Sequence, residues 1–277
     1  MKKNFGRSET AAGGQPARHG RFSGEAFSSA TLASDETLDA LFGGELQVYQ
    51  KKQGYRFSID SILLADFVTI RSGNKVVDLG TGNGVVPLIL AYRYPSITLT
   101  GIEIQLQMAD RAMRNIRLNG YEDRVEIAQM DIASAVERFK PESFDAVVCN
   151  PPYRQARSGR LSLSSEKQIA RHEIKAKLDD FVMAAAFLVK NKGCFACIQL
   201  ADRTIDLVSA MRSARLEPKR LRTVHPFSNA SASMVLVEAV KEGRRGINIL
   251  PPLVIYDSAK NYSAELNAIA PRSKPSF

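Results

Sequence analysis

The sequence predicts an α/β fold, in which helices cover both faces of a seven-stranded, mostly parallel, doubly wound sheet. From residue 75 onward, short apolar runs typical of buried strands alternate with longer runs at helical spacing, which indicates parallel βαβ units. A glycine-rich turn joins the first of these strands to the first helix. The chain has 277 residues, of which 44% are hydrophobic, so it can bury a core large enough for this fold.

The N-terminal quarter of the chain does not follow this alternation. Residues 1–34 are rich in Gly, Ser, Ala and Arg without any periodicity, and we expect a disordered basic tail there. Residues 35–71 are expected to form a cap of helix and strand beside the functional site. The main domain is then expected to occupy residues 72–277.

Three elements are predicted near the cap. SDETLDALFGG (34–44) predicts a short helix that is capped at its start and stopped by two glycines. LQVYQ (46–50) predicts a strand, and SIDSILLADFV (58–68) predicts an amphipathic helix.

The main domain is predicted to alternate strands and helices to its end. The predicted strands are 75–80, 97–104, 124–131, 143–150, 194–200 and 231–240. The predicted helices are 84–94, 105–120, 179–193, 203–214 and 262–269.

Composition excludes several classes of protein. No apolar run is long enough to cross a membrane, and we expect no secretory signal. A metal site would need more ligands than the three cysteines and three histidines of the chain offer, so Cys194 and Cys197 are interpreted as packing residues. An odd, low cysteine count fits a reducing compartment, so a cytoplasmic location is expected.

The glycine-rich turn, VVDLGTGNG, points to a bound ligand. A strand delivers Asp78, and glycines follow at Gly80, Gly82 and Gly84. Glycines at such points let the backbone approach a ligand closely. A dinucleotide fingerprint would need a further glycine where Val85 stands, so the turn fits a smaller adenosine ligand better than NAD.

Acidic residues end the next two predicted strands. Glu103 stands at a strand end where a carboxylate can accept both ribose hydroxyls of a nucleoside. Asp131 ends the following strand and could accept an adenine amino hydrogen. Because ligands bind at the carboxyl edge of such sheets, these residues predict a nucleoside site. Helix N-capping is the alternative role for both carboxylates.

VVCNPPYRQA (147–156) ends a fourth strand in an unusual way. Asn150 is followed by two prolines, which do not continue a central strand and so predict a stiff elbow. Tyr153 adds an aromatic ring directly after them.

At these motifs the chain resembles the class I S-adenosylmethionine-dependent methyltransferases. DLGTGNG resembles their glycine loop, and NPPY resembles their motif for methylating amino nitrogens. The resemblance covers about residues 46–240. GYRFSIDSILLADF, ARHE and the C-terminal PPLVIYD and YSAEL are similar to one subgroup, the bacterial tRNA(Val) adenine-N6-methyltransferases. The long N-terminal tail departs from that pattern.

The resemblance implies a Rossmann-like class I methyltransferase fold, S-adenosylmethionine as cofactor, and no metal. It implies methyl transfer to the N6 amino group of an adenine in RNA, with the tRNA anticodon loop as the expected substrate. The implied cofactor-binding residues are Phe57, Ser58, Asp78, Gly80, Thr81, Gly82, Gly84, Glu103, Ile104, Asp131, Ile132 and Asn150. The implied catalytic residues are Asn150, Pro151, Pro152 and Tyr153.

The net charge of +9 is unevenly distributed. Residues 71–150 are close to neutral, whereas residues 151–177 carry seven basic and two acidic side chains. A surface that contacts phosphate groups is one interpretation, and solvated faces are the other. The expected RNA contacts are Arg154, Arg157, Arg160 and Arg171, with Lys219, Arg220 and Arg222 as a second line.

The NPPY motif identifies the type of nucleophile and leaves the substrate open. A release-factor glutamine, an rRNA guanine N2 and a DNA adenine present the same planar amino group. A non-catalytic RNA-binding protein on the same scaffold is a further alternative.

Overall fold

The computed structural model describes residues 32–53, 58–152 and 178–271. It begins with a hairpin of two antiparallel strands, β1 (Glu36–Leu41) and β2 (Leu46–Lys51), which are joined by a 3₁₀ turn at Phe42–Gly44. The register pairs Glu36 with Lys51 and Leu41 with Leu46.

A central sheet follows, and within the described residues it has seven long strands and two short ones. The long strands are β3 (Lys75–Leu79), β4 (Thr98–Glu103), β5 (Val125–Gln129), β6 (Phe144–Cys149), β7 (Val189–Leu200), β8 (Leu216–His225) and β9 (Met234–Lys241). The short strands are β10 (Asn248–Ile249) and β11 (Leu253–Val254), and both pair with β8.

The order of the long strands is β8-β9-β7-β6-β3-β4-β5. Strand β9 runs antiparallel to both of its neighbours, and every other pairing in the sheet is parallel. The predicted seven-stranded, mostly parallel sheet is therefore confirmed, with β10 and β11 added at one edge.

Helices cover both faces, as the sequence predicts for a doubly wound sheet. The helices are α1 (Ile59–Phe67), α2 (Val85–Arg93), α3 (Leu106–Leu118), α4 (Ala135–Arg138), α5 (Leu178–Leu188), α6 (Thr204–Ser213) and α7 (Ala264–Ile269). Side chains from α1, α2, α3 and α7 share one apolar core with the sheet, and α4, α5 and α6 share the other. Because α1 packs in the first core, the boundary predicted at residue 71 does not mark a break in packing.

The helix predicted at 34–44 is wrong, because this segment forms β1 and the hairpin turn. Phe42, Gly43 and Gly44 have φ angles of 50°, 73° and 99°, which reverse the chain where a helix would continue it. Glu36, expected near the start of a helix, is instead buried in the hairpin at 3% exposure.

Two further elements differ from the sequence prediction. The helix predicted to reach residue 193 ends at Leu188, and β7 begins at Val189. Strand β8 has no predicted counterpart, because its central residues are charged and do not form an apolar run. The short helix α4, just after β5, was also not predicted.

The tail predicted at 1–34 lies almost wholly outside the described residues. Among the helices of the described ranges, none combines the length and apolar character needed to cross a bilayer.

Candidate active site

The candidate site lies at the carboxyl edge of the sheet, where β3, β4 and β6 end side by side. The register pairs Leu79 with Ile102 on one side and with Cys149 on the other. The residues that follow these three are Gly80, Glu103 and Asn150. The structure therefore brings together at one edge three residues that are far apart in sequence.

The glycine loop, residues 80–84, connects β3 to α2. Gly80, Gly82 and Gly84 all have positive φ angles, of 72°, 57° and 76°, which side chains other than glycine rarely adopt. The backbone N–H groups of Gly80 and Thr81 both donate to the carbonyl of Ile102, each at 2.9 Å. This anchors the loop to the end of β4.

Glu103 holds the middle of this loop. One carboxylate oxygen accepts from the backbone N–H of Gly82 at 2.8 Å, and the other accepts from that of Gln105 at 2.9 Å. Burial raises the pKa of Glu103, while these backbone donors oppose the rise. Each oxygen keeps a further lone pair, so the carboxylate can still accept ligand hydroxyls.

Asp78 is buried at the end of β3, at 2% exposure. Burial, reinforced by the nearby Glu103 charge, raises the pKa of Asp78 to about 7. A carboxyl group with this pKa changes charge near neutral pH, and perturbed groups of this kind concentrate at functional sites. A cationic ligand nearby would favour its ionised form.

Asp131 follows β5 and serves as an N-cap in this structure. Its carboxylate accepts from the backbone N–H of Ala133 at 3.0 Å, and its side chain is exposed. The capping alternative is therefore observed, and the exposed carboxylate is also open to a ligand. Ile104 is 39% exposed after β4, whereas Ile132 is buried in the core.

Asn150 directly follows β6 and is half-buried. Among the described residues, its side-chain amide has no hydrogen-bond partner. Pro151 is buried and Pro152 is exposed at the predicted elbow.

Phe57, Tyr153, Arg154, Arg157, Arg160 and Arg171 lie outside the described residues. Ser58 is described, and it is an exposed residue at the start of α1.

The second line of expected RNA contacts lies on β8 and is engaged within the protein. Lys219 donates to two backbone carbonyls, and Arg222 donates to a carbonyl and, at 2.5 Å, to Glu265. Arg220 binds Glu238 at 3.1 Å and stacks over the ring of Phe67. These contacts give all three side chains a structural role, and their contact with RNA stays a prediction.

Asn83, inside the glycine loop, was missed in the sequence. It is 1% exposed, and its amide nitrogen has no hydrogen-bond partner among the described residues. An unpaired buried donor is costly unless a ligand satisfies it. Together with three positive-φ glycines and the Glu103 carboxylate, this donor fits a small polar ligand such as an adenosine-containing cofactor.

Arg111 and Asn115 of α3 were also missed, although both contact Asn83. Their signal in the sequence is a pair of large polar residues spaced by four on one face of a helix. Both side chains are buried, whereas sequence periodicity assigns buried positions to apolar residues.

Two negative findings apply to the described part of the chain. It contains no cluster of three His, Cys, Asp or Glu side chains that could hold a metal ion. A cavity of about 540 Å³ opens between α5 and α6, but none of the predicted site residues lines it.

Comparison with known proteins shows a family model and several proteins that are similar to this chain. A family model described as the methyltransferase small domain matches residues 56–172, which include the glycine loop and the elbow. A tRNA1(Val) (adenine(37)-N6)-methyltransferase from Porphyromonas gingivalis (strain W83) is 30% identical over 189 residues. That alignment covers 66% of this chain and 73% of the relative.

Two further matches are more limited. The ribosomal RNA large subunit methyltransferase G of Psychromonas ingrahamii is 32% identical over 123 residues, but only 31% of its length is covered, and 43% of this chain. A crystal structure of a predicted O-methyltransferase from Agrobacterium tumefaciens superposes with a TM-score of 0.63 at 22% identity. It covers 76% of this chain and 94% of its own, and it supports the fold.

Proposed function

Because this chain belongs to the S-adenosylmethionine-dependent methyltransferase family that includes the tRNA1(Val) (adenine(37)-N6)-methyltransferases, we propose that it methylates the N6 amino group of an adenine in RNA. The protein is a methyltransferase, and S-adenosylmethionine is its cofactor. The residues suited to hold that cofactor are the glycine loop, Glu103, Asp131 and Asp78. The substrate and its modified atom form the proposal.

The observation that carries the proposal is the position of Asn150. It stands beside the glycine loop, at the end of the strand that pairs with β3, and its amide is unpaired among the described residues. The amide oxygen can accept one hydrogen of an amino group, and the carbonyl of Pro151 can accept the other. Both acceptors need to lie about 2.6–3.2 Å from the amino nitrogen.

These two acceptors address the main chemical difficulty. The lone pair of an adenine amino group is delocalised into the ring, so the nitrogen is a poor nucleophile. Two acceptors that bind both hydrogens favour a tetrahedral nitrogen with a localised lone pair. S-adenosylmethionine supplies the methyl group on a positively charged sulfur. Asn150 and Pro151 aim the nitrogen, and holding this orientation provides much of the rate enhancement.

A neutral amide is sufficient for this role. The amino group does not have to lose a proton before it attacks, because the nitrogen becomes acidic once it carries the methyl group. Asn150 therefore acts as a hydrogen-bond acceptor and not as a general base. The two prolines keep the acceptor carbonyl in place because they restrict the backbone.

We further propose a tRNA anticodon loop as the RNA substrate. A loop adenine is already unpaired, so moving it into a pocket costs less than extracting it from a duplex. Tyr153 would stack on that base, and such stacking contributes roughly 1–3 kcal/mol. The basic residues Arg154, Arg157, Arg160 and Arg171 would contact phosphate groups.

An rRNA substrate is the second candidate, since part of an rRNA methyltransferase matches this chain. The match covers less than a third of that relative, and it supports a shared catalytic fold more than a shared substrate.

The test is methyl transfer from labelled S-adenosylmethionine to total tRNA, rRNA, DNA and release factor in separate reactions. We expect label in tRNA, recovered as N6-methyladenosine after nucleoside digestion. Asn150→Ala should abolish transfer while its Kd for S-adenosylmethionine stays within about threefold. Label in protein glutamine or in guanosine would overturn the adenine proposal, and label in rRNA adenine would replace tRNA as the substrate.

The basic segment after the elbow has its own test. The double charge reversal Arg157→Glu and Arg160→Glu should weaken tRNA binding and flatten its dependence on salt. Arg215→Glu is the matched control, because Arg215 is exposed and precedes β8 at the opposite edge of the sheet. Equal losses in both variants would remove the segment from the proposed RNA surface.

A further inference from the structure

Helix α3 carries a polar stripe between the N-terminal hairpin and the glycine loop. Arg111 and Asn115 are four residues apart on one face of the helix, and Asn119 continues this spacing at the C-cap. Arg111 and Asn115 are almost fully buried, and all three side chains donate hydrogen bonds to groups of the hairpin or the loop.

The two asparagines bind the free edge of β2. Asn119 accepts from the backbone N–H of Gln47 at 2.9 Å and donates to its carbonyl at 2.8 Å. Asn115 does the same to Tyr49, at 2.7 Å and 3.2 Å. Four helical residues rise about 6 Å, and two strand residues rise about 6.6 Å, so the spacings match. The two asparagines therefore bind backbone groups of β2 that a neighbouring strand would otherwise bind.

Glu36 of β1 provides a second attachment of the hairpin to α3. Its carboxylate accepts from Arg111 at 2.9 Å and from Arg114 at 3.0 and 2.8 Å. Arg114 also lies over the ring of Tyr49, 4.6 Å from its centroid. The hairpin is therefore bound to α3 through its backbone and through a buried ion pair.

Two residues of this stripe, Arg111 and Asn115, also bind the glycine loop at Asn83. Arg111 donates to the side-chain oxygen of Asn83 at 3.1 Å, and Asn115 donates to its backbone carbonyl at 2.9 Å. Arg114 and Asn119 bind the same hairpin through Glu36 and Gln47, whereas Arg111 and Asn115 bind both the hairpin and Asn83.

We infer that Arg111 and Asn115 are positioning residues for the cofactor loop, and that hairpin β1–β2 anchors them. Asn83 stands between two positive-φ glycines, in a segment whose backbone would otherwise have many accessible conformations. Fixing both of its oxygens orders the loop before the cofactor arrives, and a preorganised site loses less entropy on binding. It also orients the unpaired amide nitrogen of Asn83.

Two matched pairs of variants test this inference in the full-length protein. Arg111→Gln is compared with Arg114→Gln, because both residues bind Glu36 and Arg111 in addition donates to Asn83. Asn115→Ala is compared with Asn119→Ala, because both bind the backbone of β2 and Asn115 in addition donates to Asn83. The measurements are the Kd for S-adenosylmethionine by calorimetry and the Tm without ligand.

We expect Arg111→Gln and Asn115→Ala each to raise the Kd for S-adenosylmethionine about tenfold. Each variant removes one hydrogen bond that orders the loop, and the loss of roughly one hydrogen bond corresponds to a change of this size. Arg114→Gln and Asn119→Ala should leave the Kd within about twofold, although they also lower the Tm because they loosen the hairpin. Hydrogen exchange of the peptide 79–86 should accelerate in the first variant of each pair only.

A purely structural role would give a different result. If both members of each pair change the Kd and the loop exchange equally, the hairpin acts only on global stability and the inference is wrong. If none of the four changes the Kd, it is also wrong. Arg111→Lys covers the case in which Arg111→Gln does not fold, since a lysine keeps the charge that pairs with Glu36 but loses the planar fork with which Arg111 donates to Glu36 and Asn83 together. A Kd unchanged in folded Arg111→Lys overturns the role of Arg111.

Discussion

Strand β3, just before the glycine loop, and hairpin β1–β2 each bury a carboxyl group, and the pKa values of the two groups are shifted in opposite directions. Asp78 is 2% exposed and Glu36 is 3% exposed. Burial raises the pKa of Asp78 to about 7. Burial also acts to raise the pKa of Glu36, but hydrogen bonds from Arg114 and Arg111 outweigh it and lower this pKa to about 2.

The difference shows that cationic partners can reverse the effect of burial on the pKa of a carboxyl group. Glu36 forms ion pairs with the guanidinium groups of Arg111 and Arg114, and it anchors the hairpin to α3. Asp78 has the Glu103 carboxylate as its charged neighbour, and it can respond to a cationic ligand. The charged groups around each carboxylate therefore account for the difference between the two pKa values.

The largest expected effect comes from removing the cations around Glu36. Arg111→Met combined with Arg114→Met leaves an uncompensated buried charge, which should cost about 3–5 kcal/mol of the free energy of unfolding in urea. Adding Glu36→Leu should recover most of this loss. Arg215→Met is the control, because its ion pair is exposed and should contribute less than about 1 kcal/mol. No recovery in the triple variant would contradict the assignment.

The next effect concerns Asp78 and rising pH. Its pKa is above the ordinary value of 3.8, so the unfolded chain ionises first as pH rises. The free energy of unfolding should therefore fall between about pH 4 and pH 7, by an amount on the order of 2–4 kcal/mol. Asp78→Asn should remove this component. Glu103 contributes with the same sign, so the difference between the wild type and the variant is the quantity to measure; parallel pH curves would refute the expectation.

Glu36 should show the opposite dependence at acid pH. Its pKa is below the ordinary value of 4.5, so its contribution is fully present above pH 4.5 and is lost as pH falls toward 2. Glu36→Gln should be less stable than the wild type at pH 6, by about 2 kcal/mol, and this gap should narrow as pH falls to 3. Chemical denaturation at each pH measures the gap, and a constant gap would show that the ion pairs contribute little.

The smallest effect compares one glycine from each region. Gly43 and Gly84 have nearly equal φ angles, 73° and 76°, so alanine strains both backbones by about 1 kcal/mol. A Cβ at Gly43 meets nothing within 4 Å, whereas one at Gly84 lies 3.0 Å from the Cβ of Ala112. Gly84→Ala should therefore cost about 1 kcal/mol more than Gly43→Ala. Equal costs would mean that α3 moves freely away from the loop.

Much of the fold and the cofactor side of the site could be predicted because their signals are local. A glycine loop between a strand and a helix, and an acidic residue at the next strand end, are visible in consecutive residues. The strand predicted at 46–50 is confirmed as β2, but strand β8 and β1, the first strand of the hairpin, could not be predicted in this way. Their residues are partly polar, and the hairpin is stabilised by contacts such as Asn115 with Tyr49, 66 residues apart.

The site shows the same division. Gly80, Glu103 and Asn150 were predicted to meet because each follows a parallel strand, and the register places them at one edge. Lys219, Arg220 and Arg222 were predicted to face RNA because they are charged. The structure instead gives them partners within the protein, and composition cannot show which cations are already paired.

The sequence alone therefore determined the sheet, the glycine loop and the methyltransferase family, since periodicity and short motifs depend on neighbouring residues. Only the tertiary structure decided that residues 36–51 form a hairpin, that Arg111 and Arg114 pair with Glu36, and that α3 connects this hairpin to Asn83. The physical reason is that a buried polar group is stable only with specific partners. Those partners are distant in sequence, and the packed chain alone brings them within hydrogen-bonding distance.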